Sequence, residues 1–265
     1  MDLPNEHSRF LDRTLNYIKN DARMLGLAVA GSCITNTMDE FSDLDFVVVV
    51  SEAHYEQVML ERKQIASALG NLLVAFTGEH VGEPRLLICL YDHPLLHVDL
   101  KFVTRSDFQK RIEDPVILWE RESVISDEFK KSSPIHPMPD LQWIEDRFWV
   151  WIHYMAVKLG RGELFEVIDC LTFIRAIALG PLSLVTHGQL PRGVRRLEMF
   201  APKESMELKE TVATHDRNSC VESVRASIAF YRKLRALHSD SQITFRNEAE
   251  RAAVEYFEKV AARQS

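Results

Sequence analysis

Hydrophobic positions change their period several times along the chain. Between residues 8 and 25, Phe10, Tyr17, Ile18 and Leu25 recur near helical spacing with charges between them, which predicts an amphipathic helix. Leu27, Ala28, Val29 and Ala30 form a short apolar run that ends at Gly31-Ser32 and predicts a strand. A second strand is predicted over 43–50. Its Phe46, Val47, Val48, Val49 and Val50 are apolar on both faces, as suits a central strand with helices over at least part of each side. Helical periodicity returns over 52–69. Strands are then predicted over 72–76, 85–91 and 95–103, punctuated by Gly78, Gly82-Glu83-Pro84 and Asp92-His93-Pro94, with a last strand over 116–119.

Residues 127–140 contain Pro134, Pro137 and Pro139 and no apolar period, so a linker is expected there. Beyond it the strand pattern stops. Helices are predicted over 141–159, 163–179, 203–213, 218–238 and 247–262. Asp140 is a natural N-cap for the first, and Gly160 and Gly180 are candidate stops. The expected architecture is an α/β (α+β) domain with a mixed sheet over 1–126, a linker over 127–140 and an all-α domain over 141–265.

Composition narrows the function. With 46% hydrophobic and 27% charged residues, the 265-residue chain has enough apolar surface for sizeable cores. Its 39 Asp and Glu against 32 Lys and Arg leave a net charge of −7, which argues against nucleic acid as a partner and suits a cationic ligand. Cys33, Cys89, Cys170 and Cys220 have no metal-ligand spacing and read as reduced, mostly buried thiols of a cytoplasmic protein. The first residues, Met1 to Glu6, carry no apolar leader, and the longest apolar runs are too short to span a bilayer, so no membrane partner is expected. Oligomeric state is not readable.

The chemistry is concentrated in two stretches. Asp43 and Asp45 project to the same side of their strand while Leu44 points away. Paired carboxylates repel each other unless a cation lies between them, and hard oxygen ligands suit Mg²⁺ bound together with nucleotide phosphates. Gly31-Ser32 follows a strand, where a bare Cα, free N–H groups and a hydroxyl can hold a phosphate. In the later strand Val98, Leu100 and Phe102 face one way, and His97, Asp99 and Lys101 the other. Carboxylates from adjacent strands can hold two metal ions and so clamp an in-line phosphoryl or nucleotidyl transfer. Taken singly, Asp-x-Asp reads equally as a solvated turn, and Asp99 with Lys101 as the polar side of a sheet. Their order along the chain carries the reading.

That order, Gly-Ser, then Asp-x-Asp opening an apolar strand, then a third Asp, resembles the nucleotidyltransferase fold of the polymerase-β superfamily. Within it, the chain is most similar to the small bacterial nucleotidyltransferases that modify aminoglycoside and lincosamide antibiotics. The motif covers roughly the first 105 residues. The resemblance implies that Gly31 and Ser32 hold the triphosphate of ATP or another nucleoside triphosphate. It implies that Asp43 and Asp45 bind Mg²⁺, two ions in all, and that Asp99 completes the metal site or acts as base toward the acceptor hydroxyl. One departure stands out. Many relatives carry a basic or Gly-rich segment directly after Gly-Ser, whereas this chain has Cys33-Ile34-Thr35-Asn36 and no Lys or Arg before Asp43. The cation for the triphosphate must come from elsewhere.

Lys101 is one candidate. In the helical half, Arg147, Trp151, Tyr154 and Lys158 share one helix face, beside a core face of Phe148, Ile152, Met155 and Leu159. Lys158 is expected to serve the phosphates, and Trp151 or Tyr154 the base or the acceptor. Packing of a surface helix explains the aromatics equally well. Glu163, Glu166 and Asp169 can bind a cationic acceptor, or can simply favour the start of their own helix. Arg192, Arg195 and Arg196 form a small basic cluster that reads as a solvated face. The function expected is Mg²⁺-dependent transfer of a nucleoside monophosphate, AMP from ATP, to a small-molecule hydroxyl, with an aminoglycoside-like antibiotic as the candidate acceptor. Two alternatives stay open: a toxin-type enzyme modifying a protein or tRNA, and a non-enzymatic nucleotide-binding protein.

Overall fold

A computed structural model describes residues 3–238 and 243–263. Between His136 and Pro137 the chain divides into two compact units. The first is built from α1 (Asn5–Asn20), β1 (Met24–Val29), β2 (Leu44–Val50), α2 (Tyr55–Leu69), β3 (Asn71–Gly78), β4 (Glu83–Asp92), β5 (Leu96–Thr104), β6 (Val116–Glu120) and α3 (Val124–Lys131). Its mixed sheet runs β3-β4-β5-β2-β1-β6, with β2 and β5 parallel and the other pairs antiparallel.

The two apolar faces of β2 go to different cores. Leu44, Phe46, Val48 and Val50 pack with Val98, Leu100 and Phe102 of β5 under α1 and α2, against Phe10, Ile18, Val58 and Ile65. On the other face, Val49 joins Ala28 and Val103 in a smaller core with Phe108, Val124 and Ile125. That second core lies at the C-terminal end of β2. Asp45, two pleats earlier on the same side as Val47 and Val49, is left outside it. Partial cover on one face thus leaves Asp45 and Asp99 half-buried near the start of β2 and β5.

The second unit contains α4 (Leu141–Gly160), α5 (Leu164–Ile174), a π-helical turn (Arg175–Leu179), α6 (Gly180–Thr186), α7 (Leu197–Phe200), α8 (Pro202–Lys209), α9 (Arg217–Leu237) and α10 (Asn247–Ala261). Asp140 caps α4 by accepting the Trp143 N–H at 2.9 Å. Phe148, Ile152, Met155 and Leu159 are buried, as their spacing predicts. Phe148 stacks on Tyr231 of α9 with ring centroids 3.8 Å apart. Glu145, also buried, accepts from Tyr231 Oη (2.7 Å), Arg235 (2.9 Å), Trp149 Nε1 (3.2 Å) and the Arg246 backbone N–H (2.9 Å).

Three expectations need correcting. The stretch assigned to a linker begins inside α3, whose Val124 and Ile125 close the smaller core. Gly180 does not stop a helix. The π turn absorbs the step into Gly180-Pro181 and the helical run continues to Thr186. Gly180 is needed for closeness, because a Cβ there would lie 2.5 Å from the Gly193 carbonyl oxygen. The run Leu164–Thr186, 23 residues containing an 18-residue window of mean hydropathy 1.7, is therefore long and apolar enough to cross a membrane by length and composition, contrary to the expectation from shorter runs. Val167, Leu171, Ile174, Ala178 and Leu182 of this run are buried in the core of the helical unit.

Candidate active site

β1 ends in a short 3₁₀ turn, Gly31–Cys33, and the Ala30 N–H donates to the Asp45 carbonyl at 2.8 Å, tying the turn to β2. Gly31 has φ +62°, and a Cβ built on it would lie 1.9 Å from Asp45 Oδ2. The Asp45 carboxylate thus occupies the space that the glycine leaves. Asp45 pairs in register with Asp99 across the parallel β2–β5 ladder, so the two carboxylates lie on adjacent strands and the same face. Asp43 is on the loop entering β2. His7 of α1 holds that loop through its Nε2, 2.7 Å from the Ser42 carbonyl oxygen.

Electrostatics tie these groups together. Burial raises the Asp99 carboxyl above the ordinary range, and the Asp43 charge pushes it the same way. His97, with Nε2 3.0 Å from Asp99 Oδ1, opposes both. Burial, then Asp45 and Asp43, push the Cys33 thiol up to about 11, so it is a poor nucleophile. The Ser32 hydroxyl is buried without a hydrogen-bond partner, an orphan that a phosphate oxygen would satisfy.

Among the described residues no three His, Cys, Asp or Glu groups are gathered as a ready metal cage. Even so, the donor set fits a hard divalent cation. Asp43, Asp45 and Asp99 offer only oxygen, the Asp43 charge opposes that of Asp99, and the orphaned Ser32 hydroxyl and the bare Gly31 belong to the turn beside Asp45.

The expected cations have other partners. Lys101 Nζ is 2.8 Å from Glu83 Oε2. Arg85 first, and then Lys101, hold the Glu83 carboxyl down at about 2. In the helical unit, Lys158 is hydrogen-bonded to Glu163, lies 3.8 Å from Glu166 and stands over the Tyr154 ring at 5.3 Å. Tyr154 donates its hydroxyl to Glu166. Trp151 packs between Trp143 and Phe173, with centroids 5.7 and 5.3 Å away, and Arg147 stacks on Trp143 at 4.3 Å. The cation and carboxylates that the sequence reading kept apart therefore form one surface cluster within the helical unit. His7 was missed because its role depends on a contact between α1 and the 39–42 turn, which no local pattern announces.

Residues 5–260, through both units, match the streptomycin adenylyltransferase family. The chain belongs to this family. As a member of the streptomycin adenylyltransferase family it is an enzyme, a nucleotidyltransferase, and the non-enzymatic alternative falls away. Comparison with curated proteins gives no match. Among solved structures, similar chains include an aminoglycoside 6-adenyltransferase from Bacillus subtilis, with 17% identity, TM-score 0.41, and 96% of this chain and 98% of that one covered. A nucleotidyltransferase-like protein from Exiguobacterium sibiricum gives 12% identity, TM-score 0.39 and coverages of 98% and 81%. A spectinomycin adenyltransferase from Enterococcus faecialis, solved with ATP and spectinomycin, gives 14%, 0.26, 97% and 99%. The assignment to the streptomycin adenylyltransferase family rests on the family match.

Proposed function

We propose that this adenylyltransferase moves AMP from ATP to a hydroxyl of a small cationic antibiotic, in the cytoplasm, with release of pyrophosphate. One observation carries the reading: Asp45 stands in register with Asp99 and fills the space left by Gly31, so a phosphate-holding turn and two carboxylates meet on one face. In the proposed reaction the acceptor oxygen forms a bond to the α-phosphorus. The bond from that phosphorus to the bridging oxygen of the β-phosphate breaks, and pyrophosphate leaves. The proton of the hydroxyl passes to Asp99, whose raised carboxyl is suited to accept it.

Mg²⁺, held by Asp43 and Asp45 with Asp99 alongside, would neutralise charge on the reacting phosphates. Gly31 and the orphaned Ser32 hydroxyl hold the triphosphate. Lys101, on the strand that carries Asp99, is proposed as its cation once released from Glu83. The family name and the net charge of −7 favour a cationic acceptor over a protein or tRNA. The four free thiols suit a reducing compartment.

The test is Mg²⁺-dependent pyrophosphate release from ATP with streptomycin and a panel of other aminated, hydroxylated antibiotics. Adenylylated product is identified by a mass increase of one AMP. Transfer that persists unchanged in Asp45→Asn, or that occurs with no member of the panel, defeats the reading.

A further inference from the structure

The ladder between β2 and β5 starts at Leu44 and Val98, so the sheet fixes Asp45 and leaves Asp43 on the loop before it. Yet the charge of Asp43 acts on both Asp99 and Cys33, so its carboxylate is held near them. Something other than the sheet must aim it.

The turn before Asp43 is closed by its own atoms. Asp39 Oδ1 accepts from the Phe41 N–H at 3.0 Å and from the Ser42 hydroxyl at 2.9 Å. The Ser42 N–H donates to the Asp39 carbonyl at 3.2 Å. Such bonds give the turn its shape and not its direction. Direction comes from His7 of α1, whose Nε2 is 2.7 Å from the Ser42 carbonyl oxygen, across 35 residues of sequence. A carbonyl only accepts, so Nε2 carries the proton and donates. That oxygen and the Asp43 nitrogen belong to one planar peptide. Holding the oxygen therefore fixes the plane from which the Asp43 side chain springs.

His7 is costly where it stands. It is 3% exposed and shares the inward face of α1 with Phe10, Leu11, Thr14 and Ile18, a spacing that suits an apolar side chain. Its Nδ1 is buried without a hydrogen-bond partner, and burying a polar atom unpaired lowers stability. A histidine here gives up stability that a leucine would keep, and its bond orients the peptide that leads into Asp43.

Resting on the reading that Asp43 and Asp45 hold Mg²⁺, we infer that His7 is a positioning residue of the metal site. Through the Ser42 carbonyl it holds Asp43 in place beside Asp45 and Asp99 before a cation arrives. A preordered loop spares the cation the cost of ordering it, so His7 acts on metal affinity and not on the acceptor.

The full chain, with a non-hydrolysable ATP analogue, is titrated with Mn²⁺, and bound metal is read by electron paramagnetic resonance. His7→Leu fills the same place without a donor, and His7→Gln returns an N–H near the position of Nε2. His7→Leu is expected to weaken Mn²⁺ about tenfold or more, as loss of a group that orients a metal ligand does. His7→Gln should recover most of that loss. The Mg²⁺ concentration giving half-maximal pyrophosphate release should rise by the same factor in His7→Leu, with the acceptor KM unchanged. Parent-like Mn²⁺ affinity in His7→Leu overturns the inference, as does a His7→Gln chain that binds no better than His7→Leu. Loss of the parent's far-UV circular dichroism in His7→Leu would give His7 to the core alone and also overturn it. A parent chain that takes up no Mn²⁺ would defeat the metal assignment itself, and the inference with it.

Discussion

Gly31 and Asp45 are the pair on which the site depends most closely. Gly31→Ala places a methyl group against Asp45 Oδ2 at a backbone angle that alanine resists. It is expected to lower transfer at least a hundredfold and to cost about 1–2 kcal/mol in denaturant unfolding. Asp45→Asn changes the carboxylate that fills the space beside Gly31 and stands in register with Asp99, so it should abolish pyrophosphate release. The Gly-Ser and Asp-x-Asp pattern was readable because its chemistry is local to two strand ends. The fates of Lys101 and Lys158 were not. Lys101 meets Glu83 across a strand pairing, and Lys158 meets Glu163 around the turn after α4, where proximity and opposite charge outweigh any role inferred from a helix face.

Strands and long helices follow from hydrophobic period, and β2 shows the reason. One alternate set of its side chains meets α1 and α2, and the far end of the other meets α3. What the period did not convey is where cover stops. α3 was absorbed into an expected linker because its apolar face is brief and prolines follow closely. The β4–β5 pair adds a pH response. Arg85 and Lys101 depress Glu83 to about 2, below its ordinary 4.5, so its stabilising contribution is complete above about 4.5 and is lost as pH falls toward 2. Glu83→Gln should therefore flatten the fall of melting temperature across that window and change little at pH 7. In the helical unit, Glu145→Ala leaves the Tyr231 hydroxyl and the Trp149 N–H without their acceptor in a buried place, while Arg235 keeps Glu250. A loss of about 2–4 kcal/mol in denaturant unfolding is expected.

At the scale of the whole molecule, a net charge of −7 should draw a cationic acceptor through long-range attraction. The value of kcat/KM for such an acceptor should fall as NaCl is raised from 25 to 300 mM, roughly the range over which screening shortens from about 20 Å to below 8 Å. The value for ATP bound with Mg²⁺ should not fall in parallel. A salt-independent acceptor profile would show that recognition is confined to close contacts. The chain divides after His136, and each unit buries its own apolar residues.

The continuous helical run Leu164–Thr186 has a consequence for biosynthesis. As the chain leaves the ribosome, this segment emerges before α9, whose Val224, Ile228 and Tyr231 share its core. For the time it takes to make α9, a stretch with the length and greasiness of a membrane span lacks one of its walls. Chaperones and the insertion machinery therefore compete with folding for the same segment. A chain ended just before Arg217 is expected in the membrane or pellet fraction of expressing cells, while the full chain stays in the supernatant. Recovery of that shortened chain as a monodisperse supernatant protein would show that α4, α7 and α8 suffice to shield the run.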